Sequence, residues 1–213
     1  MTPQDIYVPL RAAGLTRAGA LSTIANFMAE TGPDLRPDRP EIGSTNLSPE
    51  QYTRMIDEGR LDFENGRGYG LAQWTYGQRK NWLLSFAKKY GVSVGDGAMQ
   101  IDFFLWECRE YYPAVWKTIT TSDDIDACSD IICRVYENPK VCNYATRRAY
   151  AHAAESQTWE VEEDPQEPAG DIFVMLLQIC MRHDGYWTKP VDGIKTTEFR
   201  SKIIEYAADV AKT

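Results

Sequence analysis

Histidine is nearly absent from these 213 residues: there are two, His152 and His183. They lie far apart and form no zinc-ligand pattern, so no metal or other cofactor is expected. Cys142 and His152 could pair as a nucleophile and base, but nothing around either resembles a known signature. A surplus of basic charge is also missing. The 23 Lys and Arg stand against 31 Asp and Glu, a net charge of −8. That argues against nucleic acid as a partner, because binding phosphates needs a basic face. It also removes long-range steering toward an anionic cell wall. No apolar run is long enough to span a bilayer, so no membrane is expected. Residues 1–10 lack the basic start and apolar stretch of an export signal. The five cysteines are Cys108, Cys128, Cys133, Cys142 and Cys180. An odd count without an export signal favours free thiols, and Cys128 and Cys133 read as core helix positions. Gly66, Gly68 and Gly70 are not followed by Lys-Ser or Lys-Thr, which excludes a phosphate-binding loop of that kind.

What is present is helical patterning. Hydrophobic residues make up 43% and aromatics 12%, enough for a sizeable core. The spacing of Ala20, Leu21, Ile24, Phe27 and Met28 predicts a helix with Thr16 as its N-cap and Gly32-Pro33 as its stop. Glu30 falls in the last turn. The helix macrodipole is negative there and disfavours an anion, and apolar neighbours such as Phe27 would add desolvation. Both effects favour a protonated carboxyl, the form a general acid needs. The plainer alternative is a solvated Glu at a helix end.

The remaining chain reads as follows. Residues 2–14 form a short helix that Pro9 would shorten or bend. Residues 32–47 are loop, with Pro33, Pro37 and Pro40. Ser48-Pro49-Glu50-Gln51 is a capping box opening a helix to Glu58. Residues 60–67 are polar and have room for a short hairpin. In Gly68-Tyr69-Gly70-Leu71-Ala72-Gln73-Trp74, the glycines imply a close approach of backbone to something; a plain turn is the alternative. Thr75 is expected to cap a helix to Tyr90, Asp96 another, Tyr112-Pro113 a short one, and Ser122 one that ends at Asn138-Pro139. Residues 143–156 complete a domain over 1–158. Residues 159–170 are an acidic, proline-containing linker. Residues 171–213 are a small helical appendage, too short for comfortable independence and suited to wall binding or assembly.

Two runs carry a resemblance: Ala25-Asn26-Phe27-Met28-Ala29-Glu30-Thr31-Gly32 and Gly68 to Thr75. Together they resemble the phage tail lysozyme family, within the lysozyme-like superfamily of peptidoglycan glycosidases and lytic transglycosylases. Arg79-Lys80, Val94-Gly95-Asp96, Phe104-Leu105-Trp106-Glu107 and Tyr136-Glu137-Asn138-Pro139 agree with it, Asn138 standing where the family has Arg. The resemblance covers about residues 6–155. It implies a mainly α, α+β lysozyme-like fold and cleavage of the glycan strand between N-acetylmuramic acid and N-acetylglucosamine. Glu30 matches the catalytic Glu. Tyr69, Gly70, Gln73, Trp74 and Tyr136 become the expected sugar contacts. The family's Asp before the Gly-Tyr-Gly motif has no clear counterpart, which leaves Asp62, Glu64 and Glu137 as candidates for a second carboxylate. Hydrolysis, transglycosylation and a non-catalytic wall-binding role therefore all stay open. The expected partners are peptidoglycan and other phage tail proteins. Synthesis in the bacterial cytoplasm is expected, with action on the wall from the virion tail or as an endolysin.

Overall fold

The computed structural model describes residues 1–159 and Lys202. The chain divides into two units, Met1–Val161 and Glu162–Thr213. The expected helices at 171–183 and 196–211 lie outside the described residues, Lys202 excepted, as do most of the acidic linker and Cys180.

Within the first unit the described residues form eight α-helices. These are α1 (Pro3–Ala12), α2 (Arg17–Thr31), α3 (Pro49–Asp57), α4 (Gly77–Tyr90), α5 (Gly97–Glu110), α6 (Pro113–Thr121), α7 (Ile125–Ile131) and α8 (Tyr144–Glu155). A π-helical turn, Ile132–Glu137, extends α7. Among the described residues the fold is mainly α, as expected.

The core is built around α2. Ala20, Leu21, Ile24, Ala25 and Phe27 have no accessible surface, and Phe27 packs edge-on against Phe104 of α5. The opposite side of α2 is buried too, against α7 and α8. It carries a polar ladder at i, i+4, i+8: Ser22, Asn26 and Glu30. Ser22 Oγ donates to the Ile125 carbonyl (2.8 Å) and Asn26 Nδ2 to the Ser129 carbonyl (3.3 Å), so the buried groups are satisfied across the interface. At Gly19 the Ile119 carbonyl presses directly on the helix, and any Cβ would collide with it.

Several helix ends match the sequence. Thr16 accepts from the Gly19 N–H, Gly32 closes α2, and Ser48 forms the capping box of α3. Asp96 caps α5 through the Met99 N–H, and left-handed Gly91 ends α4. Others differ. Pro9 sits inside α1 without ending it; its missing N–H gives up a single backbone bond late in a short helix. Tyr76, not Thr75, precedes α4 and makes no side-chain cap; the Thr75 hydroxyl instead donates to the Gln73 carbonyl (3.0 Å). Asp124, not Ser122, caps α7, through the Ala127 N–H.

The hairpin at 60–67 does not form, and among the described residues there is no strand. One antiparallel bridge joins Pro40 to Tyr69 instead. The Glu41 N–H donates to the Gly68 carbonyl (2.8 Å) and the Gly70 N–H to the Arg39 carbonyl (2.9 Å). Pro40 has no N–H and Gly70 turns at φ +78°, so the pairing stops after one step.

Candidate active site

The end of α2, the 39–42 bridge segment, the 68–76 segment and the 135–140 turn surround one open cleft of about 860 Å³. That lies within the usual size of ligand sites, about 300–1,000 Å³. Glu30 lines it from one wall and Glu137 from another.

The α2 ladder explains how Glu30 is held. Arg147 reaches from α8, donating through Nη1 to Asn26 Oδ1 (2.7 Å) and through Nη2 to Glu30 Oε1. The Arg147 side chain is 6% exposed and that of Glu30 21%. Glu30 thus has one edge tied to the protein and another open to the cleft. This departs from the sequence-based expectation, in which apolar neighbours crowd the carboxyl. Phe27 points into the core, and the neighbour Glu30 meets is a guanidinium.

Glu137 ends the π-helical turn and is followed by Asn138 in the left-handed conformation (φ +46°). Glu137 keeps some accessible surface as a residue, but its Oε1 has none and no hydrogen-bond partner. Burial, then the Glu30 carboxylate, push its carboxyl well above the ordinary range, against the pull of Arg147 and Arg79. Asp62 and Glu64, the other candidates for a second carboxylate, do not line the cleft. They are exposed in a turn where Asp62 Oδ1 accepts from the Glu64 N–H (2.9 Å). That turn is anchored by Lys80, buried with its Nζ bonded to Asn65 Oδ1 (2.9 Å) and the Arg67 carbonyl (2.8 Å). Burial pushes the Lys80 ammonium down to about 8.

The expected sugar contacts separate into two sets. Gln73 and Tyr136 line the cleft, with Gly68 and Ala72 beside them. Gln73 sits at φ +47° and gives its Nε2 to the Gly70 carbonyl (2.9 Å) and the Arg39 carbonyl (3.2 Å). Tyr69, Gly70 and Trp74 lie beneath the floor. Tyr69 is fully buried, stacked on Tyr52, with its hydroxyl 2.6 Å from Thr53 Oγ1. Gly70 is needed for its positive φ and because a Cβ would stand 2.7 Å from Gln100 Oε1. The close approach read from the glycines is therefore to protein: Gln100 clamps this segment by accepting from the Leu71 N–H (2.9 Å) and donating to the Pro37 carbonyl (2.7 Å).

Beneath the floor Glu107 collects four donors. Arg79 binds both its oxygens (Nε 2.7 Å, Nη2 2.8 Å), and Trp74 Nε1 (2.9 Å) and the Tyr136 hydroxyl (2.6 Å) share Oε2. This network fixes Tyr136 in the cleft wall and Trp74 beneath the floor. Burial, then the Glu107 carboxylate, hold the Tyr136 phenol well above its usual range, so it stays a neutral donor. Exposed apolar groups at the rim were not singled out from sequence. Ile42 is 86% exposed and Tyr76 72% exposed, and both line the cleft.

The family model for phage tail lysozymes matches residues 2–157. The chain belongs to the phage tail lysozyme family. No curated protein and no solved structure matches the chain. Family membership supports a lysozyme-like role in cleaving peptidoglycan, and peptidoglycan as the substrate. Among the described residues no helix is long and apolar enough to cross a membrane.

Arg147, which holds Glu30, is the site residue the sequence reading passed over. Its signal was the Ser22-Asn26-Glu30 ladder, since a polar stripe on a buried helix requires a partner on the facing element.

Proposed function

We propose that the chain cleaves the peptidoglycan glycan between N-acetylmuramic acid and N-acetylglucosamine, with Glu30 as general acid. The observation that carries this is the placement of Glu30 on the cleft wall, partly exposed, with Glu137 lining the same cleft. A glycosidic oxygen leaves poorly until protonated, and protonation accompanies an oxocarbenium-like transition state. Glu30 supplies that proton. Gln73 and Tyr136 bound the site, and the exposed rings and methyls of Tyr76 and Ile42 offer stacking surface to sugar faces. Glu137 is the second carboxylate, since Asp62 and Glu64 are outside the cleft.

One observation favours transglycosylation over hydrolysis. Glu137 Oε1 is shielded from solvent, a poor position from which to activate a water. Attack by the sugar's own 6-hydroxyl needs no such water and leaves 1,6-anhydro ends. Action from a virion tail, rather than as an endolysin, is tested by mass spectrometry of purified virions.

The deciding experiment is digestion of purified cell walls by wild type and Glu30→Gln, with product analysis. Wild type should clear walls. Glu30→Gln should lose about 10²–10⁴-fold, the scale of lost general acid catalysis. Reducing N-acetylmuramic acid ends indicate hydrolysis and 1,6-anhydro ends transglycosylation. A folded Glu30→Gln protein as active as wild type overturns the assignment, and a wild type that clears nothing favours a non-catalytic role.

A further inference from the structure

We propose that an aromatic strip along α4, outside the cleft, is a second binding surface for the peptidoglycan glycan strand. This rests on the reading of the cleft as a peptidoglycan site. Arg79, Trp82, Phe86 and Tyr90 fall at i, i+3, i+7 and i+11, a single stripe along the helix. Arg79 lines the cleft, so the stripe begins there and runs away from it. Trp106 of α5 packs against the stripe, its ring centre 5.6 Å from that of Trp82 and 5.0 Å from that of Phe86. Tyr111, which follows α5, joins it, and the next residue, Tyr112, lines the cleft again. Cleft and strip therefore meet on two separate elements.

Two tyrosines form the outer layer of the strip. Tyr111 stacks on Trp82 at 4.8 Å and 15°, and Tyr90 stacks on Phe86 at 6.0 Å and 14°. Tyr111 is 50% exposed and Tyr90 49%. Each ring is thus backed by a second ring and keeps about half its surface open to solvent. Trp106 lies between the two stacks, 5.3 Å from Tyr111 in an edge-on contact. Packing of this kind fixes the ring orientations before any ligand arrives, so little side-chain freedom is lost on binding. Rings that served the core alone would be covered, as Phe103 and Phe104 of α5 are.

The chemistry of the strip fits a sugar chain. A sugar ring has an apolar face of C–H groups and a rim of hydroxyls, which suits a flat aromatic surface with a polar border. Lys89 beside Tyr90 and Glu110 beside Tyr111 are exposed and supply that border. A docked protein fits less well. Two half-exposed tyrosines offer about 200 Å². A standard protein interface takes about 800 Å² from each partner. A polymer already held in the cleft needs no such area, because a second weak site on the same strand binds at high effective concentration. The strip therefore holds sugars remote from the scissile bond, and long strands gain an anchor that short ones cannot reach.

The test uses peptide-free glycan strands from purified peptidoglycan, sorted by length, and the full-length protein in the Glu30→Gln background. Calorimetry should show Tyr111→Ala and Tyr90→Ala each weakening the binding of long strands about 3–10-fold, the loss of one aromatic contact. The loss should grow with strand length. No loss, or an equal loss at every length, overturns the inference, the second because it marks a disturbed cleft. Self-association that both variants abolish, with glycan affinity unchanged, overturns it in favour of a protein contact. Hydroxyl-radical footprinting of the wild-type chain, on the millisecond scale, needs no variant. Long strands should protect Tyr90 and Tyr111 as well as Tyr76 at the cleft rim. Protection of Tyr76 without Tyr90 and Tyr111 overturns the strip alone, and protection of none overturns strip and cleft together. Retained activity in Glu30→Gln overturns the catalytic reading instead, and the wild-type footprint still decides the strip.

Discussion

Tyr69 and Tyr76 divide a role that the motif alone assigns to one residue. Tyr69 lies inside Gly-Tyr-Gly, yet its ring is sandwiched in the core and its hydroxyl is taken by Thr53. Tyr76 lies just past the motif and presents its ring to the cleft rim. Tyr76→Ala should raise KM about 10-fold with little change in thermal stability, the effect of losing an aromatic contact worth ~1–1.5 kcal/mol. Tyr69→Phe should do the reverse. It should cost about 1 kcal/mol of unfolding free energy, one hydrogen bond, and leave KM unchanged. Kinetics and denaturant melts on both variants check the pair, and a KM defect in folded Tyr69→Phe would move the sugar site toward that ring. Gln73 lies between these cases. It is on the cleft surface, but its amide N–H groups already serve the Gly70 and Arg39 carbonyls, so only its Oε1 is free for a glycan among the described residues.

The elements meet the site through α2 and α8. Glu30 and Arg147 are held in register because Asn26 links one helix to the other. A second tie closes the far end of α8. His152 faces Asp126 of α7 (Nε2, 2.9 Å) and Glu155 (Nδ1, 3.2 Å) on an exposed surface. Hydrogen bonding to Glu155 and then to Asp126 raises the imidazole above its ordinary value of 6.5. A raised histidine contributes its stabilisation fully below the unfolded value and loses it as pH rises through the folded one. The melting temperature should therefore carry a small component that declines from about pH 6.5 upward, is weakened by salt, and is absent in His152→Gln. Equal pH slopes in the two proteins would remove His152 from the account. The π-helical turn has its own consequence for the site. It carries the chain from α7 to left-handed Asn138 and so leaves Glu137 at an end, beside the cleft, instead of along a helix face.

At the scale of the molecule, the described cleft residues lie in the first unit, and the family match ends at residue 157. Chemistry and appendage should be separable. A protein ended at residue 158 should fold and cleave soluble glycan fragments at the wild-type rate. Any loss should be confined to intact walls, where residues 171–213 would supply binding or assembly. A folded truncation without activity on soluble fragments would contradict this division. Among the described residues, Cys108, Cys128, Cys133 and Cys142 are free thiols.

For the described residues, the sequence by itself determined the α-helices, most of their ends and the position of Glu30, because these depend on local signals. Apolar spacing made α2 legible, Gly32 closed it, Ser48 and Asp96 announced their caps, and eight adjacent residues carried the family motif. Where the local signal was shared between neighbours, as at Thr75 and Tyr76 or Ser122 and Asp124, the cap fell one or two residues from the expected place. The tertiary structure alone decided which motif residues face the substrate. A Gly-Tyr-Gly run reads the same whether its backbone approaches a sugar or a buried glutamine, and it approaches Gln100. It also decided the surroundings of Glu30. Arg147 is far from Glu30 in sequence, and Glu137 only somewhat less so. Electrostatic energy depends on distance in space, so a carboxyl with a guanidinium at one edge and a second carboxyl lining the same cleft could be recognised only once the helices had packed.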